Sequence, residues 1–364
     1  MARERLAAEA KEIIDRIAAA PRAAGSSAES RARSYCAGIL RQKGFTVTEE
    51  DFIYSAFSGR WAVPLLGLLF FVWFVFVGSQ VRSHPEGAVA AGIPFLILLP
   101  ALGYTLARMI PRARLMGRRA TNLIAVRGDG HATWLVAHLD SKSQPVPMLV
   151  RIGAIIVAAT ATVVAVSAGV AAQQYRVAGS LWMVVSLAGA GGALGMMFSV
   201  VGNRSQGAVD NASGVAAALL VASEAARDRP LGLVLTSAEE LGLQGMRAWA
   251  RAHSTVPARA INFDGLDDVG TLTCMVGRGS RLAARLHAVS AECGWRMNFR
   301  RVLPGIMVDA LALDAAGWDA VTISKGNVST LARIHTPADS PGRLNGTGVA
   351  EAVQLVTNYI QREA

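Results

Sequence analysis

The chain has 364 residues, of which 52% are hydrophobic and only 17% are charged, and its mean hydropathy is +0.36. This apolar bias excludes disorder along the whole chain and exceeds that of an ordinary soluble enzyme. The net charge of +10, from 36 Lys and Arg against 26 Asp and Glu, is compatible with a nucleic-acid-binding protein or with a membrane protein that has basic flanks.

The amino-terminal 58 residues are polar and predict a helix at 3–19, a helix at 28–43 and a strand at 45–52. Residues 1–15 mix charged and apolar side chains at helical spacing. That pattern predicts an amphipathic helix rather than a secretory signal peptide, which needs an apolar stretch and a cleavage site.

Four apolar runs follow, each about 20 residues long, the length that crosses roughly 30 Å of hydrocarbon. They occupy 61–81, 88–110, 152–172 and 181–201. Short links at 79–87 and 173–180 join them into two pairs. The sequence therefore predicts two transmembrane helical hairpins, with four transmembrane helices in all.

Basic residues predict the orientation of these hairpins. Lys and Arg residues cluster at the ends that join the polar segments: Arg60, Arg108, Arg112, Arg114, Arg118, Arg119, Lys142, Arg151 and Arg204. The two links carry only Arg82 and Arg176. Because cytoplasmic flanks are rich in Lys and Arg, the polar segments are predicted to face the cytoplasm. The protein is accordingly predicted to be an integral protein of a bacterial inner or cell membrane. Basic residues at membrane edges, without interleaved aromatic residues, indicate a lipid bilayer as partner and no nucleic acid.

The polar segments 1–58, 111–147 and 202–364 are together long enough for one large domain. Strands are predicted at 122–127, 133–137, 231–236, 259–263, 296–302 and 320–324, and helices at 212–227, 241–253, 280–293, 309–316 and 346–362. Strands that alternate with helices are typical of an α/β fold, so we expect a mostly parallel twisted sheet flanked by helices. The hairpins, at 59–110 and 148–201, would be insertions into this domain.

Residues that can bind metal stand at the carboxyl ends of the predicted strands, where open α/β sheets build their sites. In chain order they are His138, Asp140, Asp210, Glu239, Glu240, Asp264 and His335. Taken singly, each has an ordinary structural explanation, such as a helix cap or a solvated face. Together they supply imidazoles and carboxylates in a combination that suits two zinc ions.

Five blocks in this set resemble the co-catalytic di-zinc aminopeptidases of metallopeptidase family 28, and they occur in that family's order. The blocks are His138-x-Asp140, Asp210-Asn-Ala-Ser-Gly214, Glu239-Glu240-x-Gly242, Asn262-x-Asp264 and His335-Thr-Pro-x-Asp339. The resemblance covers nearly all of the polar part and excludes both hairpins. It implies a zinc-aminopeptidase-like catalytic domain that holds two zinc ions per chain and hydrolyses peptides.

The resemblance also implies a role for each residue. His138 and Asp264 would bind one zinc ion, and Glu240 and His335 would bind the other. Asp210 would bridge the two ions. The general base would be Glu239, which takes a proton from the metal-bridging water. Asp140 would accept the other ring N–H of His138 and so orient it. The peptide bond between Asp210 and Asn211 would be cis.

The sequence departs from the family pattern in three places, one of which is the hairpin that lengthens the chain between His138 and Asp210. The other two are changes of residue. The family often has an oxyanion-stabilising tyrosine before its last histidine, yet no tyrosine lies between Asp264 and His335. Asp309 has Val308 and Ala310 as neighbours, where many members have Ser-Asp-His.

Asp267 and Asp268 are alternative candidates to Asp264 as the metal ligand. The position of Asp264 at the strand end and within the motif favours Asp264.

The sequence thus predicts a membrane-anchored zinc-dependent exopeptidase, specifically an aminopeptidase that acts on peptides; it makes no prediction about the oligomeric state. A glutaminyl cyclase of the same fold is one alternative, although such enzymes usually have one zinc ion. A non-catalytic membrane scaffold of the same fold is another. The complete set of ligands and base favours the peptidase. A transporter is the weakest reading, because the predicted spans contain no carboxylate and no lysine.

Overall fold

A computed structural model describes residues 1–80, 92, 117–130, 133–253, 258–303 and 305–362. The chain forms two compact units. We call the first, Met1–Tyr54 with Gly117–Ser143 and Asn203–Ala364, the sheet unit. The second, Ser55–Met116 with Gln144–Gly202, is called the helical unit. Giving these segments a catalytic and a transmembrane role remains a proposal.

The sheet unit alternates helices and strands. Its strands are β1 (Thr46–Ser55), β2 (Gly117–Arg127), β3 (Thr133–His138), β4 (Leu231–Thr236), β5 (Arg259–Leu266), β6 (Thr271–Val276), β7 (Asn298–Arg301) and β8 (Asp319–Gly326). Its described helices, numbered with those of the helical unit in chain order, are α1 (Ala2–Ile17), α2 (Ser27–Gln42), α6 (Gly214–Glu224), α7 (Gln244–Ala252), α8 (Arg281–Glu292), α9 (Asp309–Ala315), α10 (Val328–Arg333) and α11 (Thr347–Arg362). Short helical turns span Ala208–Ser213, Glu239–Leu241 and Pro341–Arg343.

The eight strands form one sheet in the order β1-β2-β4-β3-β5-β8-β6-β7. The four central strands, β4, β3, β5 and β8, run parallel to one another. β2 pairs antiparallel with β4, and β6 pairs antiparallel with β8. The fold is therefore a mixed α/β sheet flanked by helices, with a parallel centre whose carboxyl ends meet at one edge.

Side chains that alternate along the central strands pack on opposite faces of the sheet. On β3, Leu135 and Ala137 belong to the larger core, with apolar residues of α1, α2, α6, α8 and α11. The neighbouring Trp134 and Val136 belong to a second core, with residues of α7 and α9. Because helices cover both faces, the central strands are buried over most of their length.

The helical unit contains α3 (Ala56–Gln80), α4 (Met148–Ala171) and α5 (Gly179–Met197). Within them, Gly59–Ser79, Met148–Ala171 and Gly179–Met197 are long and apolar enough to cross a membrane. Small residues allow close packing: a Cβ on Gly189 would meet the Phe74 ring at 2.2 Å, and one on Gly192 would meet the Ala154 oxygen at 2.6 Å. The predicted span 88–110 lies outside the described residues except for Gly92, so the number of four spans stays a prediction.

The structure differs from the predicted elements in several places. The sequence missed β6 and α10, which are only six residues each and have weak periodicity. Because β6 is antiparallel to β8, and β2 to β4, the sheet is mixed outside its parallel centre. The predicted helix 212–227 is the turn Ala208–Ser213 followed by α6, with non-helical backbone at Asp210 and Asn211.

Candidate metal centre

The predicted site residues meet at the carboxyl edge of the central strands. His138 is the last residue of β3, and Glu239 and Glu240 follow the end of β4 in a short helical turn. Asp264 lies near the end of β5, where the register against β8 shifts between Phe263 and Leu266. His335 lies in the loop after α10, with a left-handed backbone (φ +64°) that few non-glycine residues adopt. Parallel order thus gathers residues that are up to two hundred positions apart.

Two groups of three residues form the centre. In the first, Nε2 of His138 lies 3.2 Å from Oδ1 of Asp210 and 3.7 Å from Oδ1 of Asp264. In the second, Nε2 of His335 lies 2.9 Å from Oδ2 of Asp210 and 3.3 Å from Oε1 of Glu240. Asp210 therefore belongs to both groups, and each of its carboxylate oxygens faces a different histidine.

These groups fit divalent metal ions. Within each group, one ligand atom from every residue lies within 4.8 Å of the others. The buried Oε1 of Glu240 has no hydrogen-bond partner among the described residues, which is expected for an oxygen that ligates a metal ion. Imidazole nitrogen with carboxylate oxygen is a donor set that suits zinc.

The loop around Asp210 is held from two sides. The Asp210–Asn211 peptide bond is cis, which confirms the expectation from the sequence. The Asn211 amide donates to the Phe263 carbonyl oxygen at 2.8 Å and so ties this loop to β5. Gly214 must be glycine, because a Cβ there would lie 2.4 Å from the same carbonyl oxygen. The sequence placed these small residues near the site, but only the structure shows what they approach.

Asp339 anchors Asp210, and the sequence assigned it no role beyond its place in the last block. Its carboxylate accepts the backbone N–H of Val209 at 2.7 Å and that of Asp210 at 3.1 Å. Asp339 is buried, and burial raises its pKa to about 6. Both carboxylate oxygens are therefore engaged in fixing the backbone of the shared residue.

Asp140 contacts the other ring nitrogen of His138 through its main chain and not through its carboxylate. Nδ1 of His138 lies 3.0 Å from the backbone carbonyl oxygen of Asp140, whereas its carboxylate is 3.7 Å away. The carboxylate instead accepts the backbone N–H of Glu239 at 3.1 Å and that of Glu240 at 3.3 Å. The expected support of His138 comes from the main chain, because the side chain turns toward the neighbouring loop. Because Nδ1 is engaged by this carbonyl, Nε2 is the ring nitrogen that faces the carboxylates.

Glu239 lies beside the two groups without belonging to either. Its Oε2 is 3.9 Å from Nε2 of His138, and its side chain is only 5% exposed. Burial raises the pKa of Glu239 well above its ordinary value, and the carboxylates of Glu240 and Asp264 add to this rise. A buried carboxyl group with a raised pKa, next to possible metal ligands, is typical of a proton-transferring residue.

The charges of the shared carboxylate and its histidines stabilise each other. Burial by itself would raise the pKa of Asp210, but hydrogen bonds from His138 and His335 hold it well below its usual range. Burial would lower the pKa of His138, yet the carboxylates of Glu239, Asp210 and Asp264 hold it well above its usual range. Opposite charges thus favour the ionised carboxylate and the protonated imidazole at the same place.

Two basic residues that the sequence did not single out for this site lie next to it. Lys142 places its Nζ 2.5 Å from Oε2 of Glu240. Arg22 is fully buried and donates to four backbone carbonyl oxygens, those of Ile17, Leu139, Gln206 and Gly207. Arg22 therefore joins the loop after His138 to the loop before Asp210. The local sequence around Lys142 and Arg22 does not reveal these contacts, because most of their partners lie about a hundred or more residues away in the chain.

The competing aspartates have other partners. Asp267 forms an ion pair with Arg333 and accepts the hydroxyl of Thr330, and Asp268 accepts backbone N–H groups of Asn345 and Gly348. Of the three aspartates, only Asp264 lies in a metal-type group among the described residues.

Asp309, the residue in the altered block, is buried at the start of α9 and accepts the Thr236 hydroxyl. Burial raises its pKa to about 7.

The chain is similar to known peptidases. A model of peptidase family M28 matches residues 122–360. An aminopeptidase from Aneurinibacillus sp. strain AM-1 has 15% sequence identity and a TM-score of 0.59, over 98% of this chain and 93% of that chain. A zinc aminopeptidase from Bacillus subtilis has 13% identity and a TM-score of 0.58, over 98% and 95%. A Porphyromonas gingivalis glutaminyl cyclase has 14% identity and a TM-score of 0.58, over 98% of both chains.

These identities are low enough that the structural likeness shows the fold alone. At the level of sequence, no curated protein matches the chain. The family model, by contrast, matches more than half of the chain, and the matched range includes His138, Asp210, Glu239, Asp264 and His335. This chain belongs to peptidase family M28.

Proposed function

We propose that this protein is a membrane-anchored, zinc-dependent aminopeptidase that removes amino-terminal residues from peptides. The observation that carries the proposal is the position of Asp210 between two histidine-containing groups, with Glu239 beside them. His138, Asp210 and Asp264 would hold one ion, and Asp210, Glu240 and His335 the other. Two bound zinc ions supply positive charge that polarises the scissile carbonyl and lowers the pKa of water.

Glu239 would move the proton in this reaction. Its Oε2 would accept a proton from the attacking water and pass it to the departing amine nitrogen. The surroundings prepare it for this, because its burial excludes bulk water and Asp140 fixes its backbone N–H. The loop that presents Glu239 also presents the ligand Glu240, so base and ligand are positioned together.

The assignment to an amino terminus rests on the similar structures and not on the charge of the site. Five carboxyl groups lie around two imidazoles, those of Asp140, Asp210, Glu239, Glu240 and Asp264, and two divalent ions would offset most of their negative charge. The zinc aminopeptidases among the similar structures agree with this assignment.

A glutaminyl cyclase is the second candidate, because glutaminyl cyclases also occur among the similar structures. Two metal-type groups favour the peptidase, since the alternative usually needs one ion. A non-catalytic scaffold is disfavoured because the seven predicted site residues lie together.

Purified full-length protein tests the proposal. We expect two zinc equivalents per chain by elemental analysis, loss of activity with a chelator, and hydrolysis of aminoacyl amides but not of their amino-acetylated forms. The acetylated substrates are the matched control for amino-terminal recognition. Cyclisation of amino-terminal glutamine with one zinc ion per chain would establish the cyclase instead. Two bound ions without turnover of any free-amino substrate would establish the scaffold.

The membrane anchor is part of the same proposal. Three described helices have the length and composition of membrane spans. Apolar side chains such as Val72, Ile156 and Leu187 are exposed on their surfaces, as expected for lipid contact. Together with the predicted span 88–110, they would form two hairpins with the catalytic domain in the cytoplasm.

A further inference from the structure

Lys142 forms an ion pair with one of the proposed metal ligands. It follows His138 by four residues, and its Nζ lies 2.5 Å from Oε2 of Glu240. Both side chains are largely buried, with 16% of Lys142 and 5% of Glu240 exposed. The pair is therefore poorly screened by solvent, unlike a surface ion pair.

The two carboxylate oxygens of Glu240 have different surroundings. Oε1 faces Nε2 of His335 at 3.3 Å and has no hydrogen-bond partner among the described residues. Oε2 is held by Lys142. Glu240 thus offers one oxygen to the second group while its other oxygen is occupied by a fixed positive charge.

The first group lacks such a cation. Asp264, the carboxylate that belongs to this group alone, pairs with His138, and no lysine or arginine forms an ion pair with it in the part of the chain that the structure describes. A buried cation beside the carboxylate ligand is therefore one difference between the two groups.

We propose that Lys142 makes the group of Asp210, Glu240 and His335 the weaker and more readily exchanged of the two metal sites. This inference rests on the proposed two-ion centre and adds an order of binding to it. Lys142 acts as a positioning residue: it limits Glu240 to one available oxygen and places a positive charge close to a divalent ion.

Two effects of Lys142 oppose each other. A partner that orients a ligand usually supports metal binding, and its removal costs about 10–100-fold in affinity. Repulsion between Lys142 and the ion weakens binding, and burial keeps this repulsion strong. Replacing Lys142 also frees a second carboxylate oxygen for the metal. Both the positive charge of Lys142 and its hold on one Glu240 oxygen lower the affinity for the metal. We therefore expect these two effects to outweigh the orienting effect.

A zinc competition titration with a chromophoric chelator tests this on the full-length protein. Lys142→Met removes the charge at similar volume, and Lys142→Arg retains it. Lys325→Met is the matched control, because Lys325 is also buried and pairs with Glu351 at 2.7 Å, outside both groups.

Wild type, Lys142→Arg and Lys325→Met should release zinc in two separate steps. In Lys142→Met the weaker step should tighten by about tenfold or more, while the tighter step stays unchanged. If the affinity of the weaker step is unchanged or lower in Lys142→Met, the inference is overturned, since Lys142 would then support Glu240 instead of opposing the ion.

The result also separates this inference from the proposed function. If wild type retains one zinc ion and Lys142→Met retains two, Lys142 opposes the second ion even though the native centre is mononuclear. One ion in both proteins contradicts the inference. Aminoacyl hydrolysis, measured separately on wild type, decides the aminopeptidase proposal regardless of these zinc affinities.

Discussion

Asp339 accepts the backbone N–H of Asp210 at 3.1 Å, across 129 residues of sequence. The last block of the chain therefore fixes the residue that both metal-type groups share. Asp339 belongs to neither metal-type group, and its contribution is the position of another carboxylate.

Asp339→Ala should weaken zinc binding by about 10–100-fold while the sheet unit stays folded, because the backbone N–H groups of Val209 and Asp210 lose their anchor. Zinc titration and circular dichroism would measure these two properties. Asp268→Ala is the control: it also removes a carboxylate that accepts backbone N–H groups, but outside both groups. Equal zinc affinity in Asp339→Ala and wild type would contradict the anchoring role.

Glu239→Gln should keep the zinc content and the fold but lower turnover by about 10²–10⁴-fold, because an amide cannot accept the proton of water. Asp210→Asn should lose zinc as well as rate, since it removes charge between two cations. Elemental analysis alongside peptidase rates distinguishes the two variants. Near-normal turnover in Glu239→Gln would disprove the proposed proton transfer.

Stability should depend on pH through Glu29. This residue is fully buried in α2, where its carboxylate accepts the Gly25 N–H at 2.7 Å. Burial raises its pKa from 4.5 to about 8, and the nearby Asp140 adds to the rise. A folded-state pKa above the unfolded value stabilises the protein fully below pH 4.5, and this stabilisation is lost as the pH rises through about 8.

Glu29→Gln mimics the protonated carboxyl group and should remove this dependence. Relative to the variant, the free energy of unfolding of wild type should fall between pH 4.5 and 8 by an amount of the order of 4 kcal/mol. Denaturant unfolding of both proteins at several pH values measures the difference. Glu12→Gln, at an exposed position of α1, is the control. Parallel curves for wild type and Glu29→Gln would mean that Glu29 is ionised in the folded protein.

Cysteine labelling in intact cells tests the proposed orientation. Tyr175 is 70% exposed in the link between α4 and α5, and Arg204 is exposed beyond the end of α5. In a Cys293→Ser background, an impermeant maleimide should label Tyr175→Cys in intact cells and Arg204→Cys only after permeabilisation. Cys36 and Cys274 are buried and should stay unlabelled. The reverse pattern would invert the topology, and labelling at both positions would exclude the hairpin.

Much of the site was predictable because its residues occur in short blocks that follow strands. His138, Asp210, Glu239, Glu240, Asp264 and His335 all meet at the carboxyl edge of the sheet, as the sequence predicted. Strand order could not be obtained in this way, because β6 is too short and too irregular in pattern to be recognised. Its antiparallel pairing with β8 joins strands that are more than forty residues apart in the chain, so no local pattern predicts it.

The sequence by itself determined which metal-type side chains follow the predicted strands, where the apolar runs lie and which family the blocks resemble. These are properties of residue type and local spacing. Only the tertiary structure decided that the main chain of Asp140 supports His138, that Asp339 holds Asp210, and that Lys142 pairs with Glu240. Such contacts depend on side-chain direction and on distances between segments far apart in the chain, and no local pattern records them.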